Sequence, residues 1–356
     1  MAPVATAAKD GFRWPIEDRD TSDALFGGFW PERHIGRGEY QGLEFLHVNA
    51  RSIINTVPAS SRMSFRYTIN PYRGCSHACT YCFARPTHEF LGLGIGEDFE
   101  RRIVVKVNAV ERARAELSSS RWQGDLIAMG TNTDPYQHAE GKYHLTRGIV
   151  GVLSERQNPF SILTKSTLVL RDLALLVEAS HHTSVRVNLS IGTLDRDVWR
   201  LTEPGTPPPD KRLDVVRRLN DAGIPCGVLV APVLPGLSDS DDQVVSVVES
   251  CRAAGAVGVT AVGLHLRPGV REHYLSWLSG ARPDLMELYL ERFRSGAYQP
   301  RRQQQRLTAL VSQVMGDMPS RGESAFVTGP AARAKDGVDR GANPPEPDQL
   351  ALFAAT

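Results

Sequence analysis

Cys75, Cys79 and Cys82 stand in the run Asn70-Pro71-Tyr72-Arg73-Gly74-Cys75-Ser76-His77-Ala78-Cys79-Thr80-Tyr81-Cys82-Phe83, a C-x3-C-x2-C spacing. Three thiolates on one short loop can hold three irons of a [4Fe–4S] cluster, and the fourth iron then has no protein ligand nearby. An electron carrier would close that position with a fourth cysteine, whereas an enzyme uses an open iron to bind and cleave something. A structural zinc could take the same thiols with His77 or a distant residue as fourth ligand. Zinc sites usually pair two C-x2-C knuckles, and this chain has no second one. Of the five cysteines, Cys226 and Cys251 remain, well separated, too few to carry a second four-iron cluster without other ligands.

A chain of 356 residues can bury a full core as one large domain with appendages. A net charge of +1 gives no global electrostatic case for nucleic acid or membrane, although a local basic patch is compatible with it. No apolar run approaches the roughly 20 residues of a membrane span. The first residues lack the charged start and apolar core of a secretory signal, so the expected location is the cytoplasm, where thiols stay reduced.

Residues 1–60 mix Gly, Pro and charge and read as an irregular N-terminal extension. From 65–69, a strand leading into the cysteine loop, strands and helices alternate. Further strands are expected at 125–129, 160–163, 184–189, 225–230 and 257–262, and helices at 103–117, 144–153, 168–178, 213–222 and 241–254. Such alternation argues for an α/β fold of parallel βαβ units over 61–280. Helical segments follow within 281–319. The tail, 320–356, is rich in Gly, Pro and Ala and reads as flexible.

The cysteine loop resembles the signature of the radical S-adenosylmethionine (radical SAM) superfamily, including the aromatic Tyr81 before the third cysteine. The runs Phe65–Cys75 and Cys82-Phe83-Ala84-Arg85-Pro86-Thr87-His88-Glu89 resemble a bacterial branch related to spore photoproduct lyase. So do Asn132-Thr133-Asp134-Pro135-Tyr136-Gln137, Thr164-Lys165-Ser166, Leu170-Arg171-Asp172 and Ala231-Pro232-Val233-Leu234-Pro235-Gly236. The resemblance implies a partial (β/α)6 TIM-like barrel with chemistry at the C-terminal ends of its strands. It implies a [4Fe–4S] cluster on Cys75, Cys79 and Cys82, S-adenosylmethionine on the open iron, and a reductant such as flavodoxin or ferredoxin. Thr131, Asn132 and Asp134 are then expected near the SAM amino group, Lys165 near its carboxylate, and Ser190 near its ribose or carboxylate. Tyr81 is expected beside the cofactor, with Pro232 and Val233 lining the adenine pocket.

One departure from the lyase stands out. The lyase returns a hydrogen atom from a cysteine near the end of the second strand, where this chain reads Ala128-Met129-Gly130-Thr131. Cys226 on the fifth strand is an alternative donor if it faces the barrel, and otherwise a small buried apolar residue. The shortage of cysteines also argues against subgroups with auxiliary clusters, methylthiotransferases among them.

His77, His88 and His138 lie near the expected site, where hydrogen bonds from surrounding residues tune clusters. Gly92-Leu93-Gly94-Ile95-Gly96 has neither a preceding strand nor a following Lys-Ser/Thr, so a phosphate loop is rejected. Arg292, Arg294, Arg301, Arg302 and Arg306, interleaved with Tyr289, Phe293 and Tyr298, suggest a grip on a polyanion, or a solvated helical face. Gln349-Leu350-Ala351-Leu352-Phe353 resembles the peptide by which bacterial repair proteins dock on the sliding clamp, with Gln349, Leu350, Leu352 and Phe353 as contacts. The leading expectation is therefore radical chemistry on a DNA lesion or other nucleic-acid component, extruded from its stack to reach the radical. The alternatives are modification of a small metabolite or protein side chain, and a non-catalytic DNA-associated Fe–S scaffold that senses redox state.

Overall fold

The computed structural model describes residues 31–58, 61 and 63–316. The clamp-like peptide lies outside the described residues. The strands are β1 (Glu32–Ile35), β2 (Glu44–Val48), β3 (Ile54–Thr56), β4 (Tyr67–Ile69), β5 (Tyr72–Arg73), β6 (Arg102–Lys106), β7 (Ile127–Met129), β8 (Phe160–Thr164), β9 (Val185–Ser190), β10 (Cys226–Val233) and β11 (Val259–Gly263). The α-helices are α1 (Glu97–Arg101), α2 (Ala109–Leu117), α3 (His138–Tyr143), α4 (Leu145–Glu155), α5 (Leu173–Ser180), α6 (Arg196–Thr202), α7 (Pro209–Asp221), α8 (Asp241–Ala253), α9 (Val270–Ala281), α10 (Met286–Arg292) and α11 (Arg301–Met315).

The larger sheet runs β11-β10-β9-β8-β7-β4-β3. Every pair from β4 to β11 is parallel, and β3 closes the edge antiparallel to β4. This is the partial (β/α)6 barrel. Parallel neighbours need a crossover, and helices supply each one, so the sheet's outer face is buried under them. Ile127, Met129, Ile162, Val187, Leu189, Val228 and Val230 lie in one core with Ile149, Leu153, Leu176, Val216 and Val248 of the helices. Residues of opposite parity, among them Ser161, Asn188 and Gly227, turn to the lumen, since side chains alternate along a strand. Gly227 leaves room for its lumen neighbour, because a Cβ there would come within 2.8 Å of Asn188 Oδ1.

A second sheet, β1-β2-β6-β5, corrects two expectations. Part of the N-terminal segment expected to be irregular forms β1, β2 and β3. The helix expected over 103–117 begins as strand β6 and becomes helical only at Ala109. Ile103 and Val105 join the main core, while Val104 joins Leu46, Val48, Leu91 and Leu93 on the other face. A strand buried on both faces reads as a continuous apolar run, which periodicity cannot tell from a buried helix. The helices α6 and α9 were also absent from the sequence reading. Among the described residues no helix is long and apolar enough to cross a membrane.

Gly130 ends β7 with φ of +90°, and a Cβ there would sit 1.9 Å from the Leu163 carbonyl oxygen of β8. Gly130→Ala therefore combines left-handed strain with a clash against backbone that cannot rotate away. The expected cost is ~2–4 kcal/mol of stability, read as a fall in the urea midpoint at unchanged slope. An alanine variant of wild-type midpoint would contradict this packing.

Candidate active site at the cysteine loop

The loop leaves β5 at Gly74, whose φ of +78° and close neighbours (His88 Cε1 2.8 Å and Phe99 O 2.9 Å from a built Cβ) admit only glycine. Two tight turns follow, Ala78 N–H donating to Cys75 O at 3.2 Å and Cys82 N–H to Cys79 O at 3.2 Å. Other backbone groups of the loop find partners elsewhere in the chain. Phe99 O accepts from Cys75 N–H at 2.9 Å, Thr202 O accepts from Thr80 N–H at 3.0 Å, and Gly205 N–H donates to His77 O at 3.1 Å. Gln137 spans the loop's start, accepting from Ser76 N–H at 3.0 Å and donating to Gly74 O at 2.9 Å. Thr133 Oγ1 donates to the same carbonyl at 2.7 Å. The fully buried Arg85 donates from Nη2 to Cys79 O at 2.8 Å and pairs with Glu100.

Cys75 and Cys79 are buried and Cys82 is half-buried. Burial pushes all three thiols up, Cys79 to about 12, with the Glu203 charge adding to it there. For Cys75, burial is followed by the Asp134 charge and by the two neighbouring cysteines. Thiols in such a setting become thiolates when a strongly positive group binds them. Three free thiols on one short loop, with Cys226 and Cys251 buried in the core, are a donor set that fits three irons of a [4Fe–4S] cluster.

Opposite the loop, at the C-terminal ends of β8 and β9, Lys165 Nζ donates to Ser190 Oγ at 2.5 Å and stands 5.8 Å from the centre of the Tyr81 ring. Ser190 Oγ donates to Ala231 O at 2.9 Å, which places Pro232 and Val233 at the same rim. The structure thus brings Tyr81, Lys165, Ser190 and the Ala231-Pro232 segment together, while Val233, next along β10, is buried in the core. Thr131 and Asn132 end β7 beside them with side chains that have no hydrogen-bond partner among the described residues.

Asp134 joins the rim to the loop. Its oxygens accept from Thr164 Oγ1 at 2.6 Å, Tyr136 N–H at 2.9 Å and Lys165 N–H at 2.7 Å, and His77 Nδ1 lies at 3.3 Å. These partners fill the roughly four acceptor positions of a carboxylate. Burial would raise its pKa, but His77, Thr164 and the Lys165 N–H together hold it below the usual range. Asp134 thus ties the loop's His77 to the strand end carrying Lys165. Cys226 is not brought to the site. It is fully buried on the helix-facing side of β10, at the strand's N-terminal end, in the core with Val187, Val228 and Cys251. There it packs as an apolar residue, with its thiol pushed up by burial.

Sequence reading missed a buried ionic node beneath the loop. Glu203 accepts from Tyr81 OH and from Arg212 Nη2, and lies 3.8 Å from Lys165 Nζ. Arg212 also donates to Pro207 O at 2.8 Å and to Ser190 O at 3.0 Å. Burial would push Glu203 up, yet the charges of Arg212 and Lys165 and the hydrogen bonds from Tyr81 and Arg212 outweigh it and hold the carboxyl at about 2. The motif blocks contained Gln137 and Arg85 without revealing their roles. Nothing in one sequence links Glu203 to Tyr81 across more than a hundred positions.

Other expected residues separate. His88 is fully buried, bonded to Arg102 O at 3.0 Å and held at about 4 by burial, so it supports the loop from below. His138 lies edge-on to His77 at 6.2 Å. The C-terminal basic cluster divides. Tyr289 and Phe293 are core residues, and Arg306 pairs with Asp241. Tyr298 remains partly exposed and stacks on His265 at 6.0 Å, with Phe83 6.0 Å beyond and Arg267 Nη2 donating to the Tyr298 hydroxyl at 3.1 Å. This ladder of rings starts next to Cys82.

The family model described as the radical SAM superfamily matches residues 69–272. An uncharacterized protein of Mycobacterium tuberculosis is 46% identical over 268 residues, 75% of this chain and 79% of its own length. The radical SAM Nalpha-GlyT isomerase of Pseudomonas phage M6 is 28% identical over 174 residues, 48% of this chain and 34% of that protein. A spore photoproduct lyase variant with bound AdoMet and dinucleoside spore photoproduct superposes with a TM-score of 0.55 at 19% identity, covering 78% of this chain and 80% of that one. At that identity the likeness is one of fold.

The depressed Glu203 pKa has a definite sign. Its stabilisation is present above the ordinary carboxylate value near 4.5 and is lost as pH falls through about 2. Glu203→Gln should cost ~3 kcal/mol at pH 7, because Arg212 is left buried without its counter-charge. The gap from wild type should shrink between pH ~4.5 and ~2, followed by urea unfolding at each pH. A gap independent of pH would show that the carboxylate charge is not what holds the node.

Proposed function

The chain belongs to the radical SAM superfamily of enzymes, and on that premise we propose that Cys75, Cys79 and Cys82 hold its one [4Fe–4S] cluster and that it acts on a nucleic-acid component. The carrying observation is the three-thiol loop, braced by surrounding elements and facing Lys165 and Ser190 across the barrel mouth. Such a cluster, when reduced, supplies the electron that cleaves S-adenosylmethionine and yields a 5′-deoxyadenosyl radical able to take hydrogen from a substrate.

The chain's own residues divide the remaining work. Lys165 offers a cation to the methionine carboxylate, and its hydrogen bond to Ser190 aims the ammonium along the rim. Asn132 and Thr131 offer unpartnered polar groups to the amino group. Pro232 offers apolar surface to the adenine. Tyr81 walls the loop side, its hydroxyl held by Glu203.

The nucleic-acid reading rests on the ring ladder Phe83–His265–Tyr298 with Arg267 beside the mouth, since bases stack on aromatic rings flanked by cations. The photoproduct lyase structure with its dinucleoside supports the same class. Hydrogen return differs from the lyase pattern. Neither Cys226 nor Cys251 reaches the lumen, and both sit in the helix-facing core, so a substrate radical is not quenched by a thiol of this chain.

Anaerobic reconstitution should give about four irons per chain and dithionite-dependent 5′-deoxyadenosine, both lost when the three cysteines become alanine. Lys165→Ala should retain iron but bind S-adenosylmethionine ~10–100-fold more weakly, as expected for a lost charged hydrogen bond. Oligonucleotide binding should weaken linearly in log–log with salt and drop in Tyr298→Ala. Reconstituted protein that never cleaves the cofactor would sink the radical reading. Salt-independent binding, or none, would sink the nucleic-acid part alone and favour a small-molecule or protein substrate.

A further inference from the structure

We propose that Glu32, His34 and His47 form a binding site for a divalent transition ion of the zinc class, on the sheet edge and separate from the cysteine loop. One ligand atom from each of the three lies within 4.8 Å of the others. The strand pairing produces this arrangement. Glu32 on β1 stands directly opposite His47 on β2, and His34 lies two residues along β1 on the same face. β1 is an edge strand, so the cluster opens toward solvent on one side.

The contact between Glu32 and His34 carries the inference furthest. The Glu32 carboxylate oxygen lies 2.9 Å from His34 Nε2. That nitrogen is nevertheless shielded from water and without a properly directed hydrogen bond. An ion bound by both residues would give this nitrogen the partner it lacks. The His34 and His47 rings stack at 3.9 Å with a tilt of 28°, so both imidazoles stand at the same point of the sheet edge.

A further feature suits a metal ligand. Tyr143 OH holds His47 Nε2 at 2.7 Å, fixing the ring as outer hydrogen bonds fix ligating histidines. Two imidazoles and one carboxylate select zinc-like ions over calcium or magnesium, which prefer oxygen donors. Bound there, the ion ties edge strand β1 to β2 in the sheet whose far strand, β5, feeds the cysteine loop.

The test uses protein carrying its reconstituted cluster, so that the thiols do not compete, with zinc added alone after chelator treatment. Titration calorimetry and elemental analysis should find roughly one additional zinc per wild-type chain. His34→Ala with His47→Ala should abolish it, while alanines at the exposed pair His181 and His182 should leave it in place. Zinc should raise the melting temperature of wild type and not of the double variant. If the double variant folds poorly, Glu32→Gln, which keeps both rings, should weaken zinc at least ~10-fold. No zinc on wild type, or equal zinc on all variants, would overturn the site and leave Glu32–His34 as a plain ion pair.

Discussion

A loop that buries three thiols cannot satisfy its own backbone. Two short turns account for the N–H groups of Ala78 and Cys82, and those of Cys75, Ser76 and Thr80 take partners from other parts of the chain. Here those partners come from Phe99, Thr133, Gln137, Thr202 and Gly205. An unpaired buried polar group costs about as much as a lost hydrogen bond. The loop conformation therefore exists only when the ends of β7, α1 and α6 are already in place around it. The order of dependence runs from the barrel to the thiols.

Electrostatics adds a second layer. Two buried carboxylates bracket Lys165, with Asp134 on its backbone N–H and Glu203 near its ammonium. Each is also tied to the cysteine loop, Asp134 through His77 and Glu203 through Tyr81. The loop and the β8 rim are thus held in register by charge-assisted contacts in a water-poor setting, where such contacts are strong. Arg212 completes the arrangement by neutralising Glu203 and donating to the Ser190 carbonyl. The polar groups of loop and rim are thereby held in fixed orientations.

How far the sequence could be read varies with how local each feature is. The cysteine spacing, the strand-end motifs and the βαβ rhythm are local, and they pointed to barrel, loop and rim. The stretch 103–117 defeated periodicity because β6 is buried on both faces, so its apolar run has no period to detect. The contacts of Asp134 were not legible, since its partners Thr164 and Lys165 lie at the end of the next strand. Cys226 was ambiguous for a related reason. A cysteine on a strand of a partial barrel faces either lumen or helices, and only the register with Gly227 and Asn188 shows which.

By itself the sequence determined the number and spacing of the thiols, the alternation that builds parallel strands, and the lack of a spare cysteine for a second cluster. These follow from covalent order and from periods of two and 3.6 residues, which a linear chain displays directly. Tertiary structure alone decided which carboxylate meets which cation, which face Cys226 takes, and that Glu32, His34 and His47 converge. Such choices depend on pairings between strands and loops far apart in sequence, and a distance of a few ångströms is fixed by packing rather than by any local pattern.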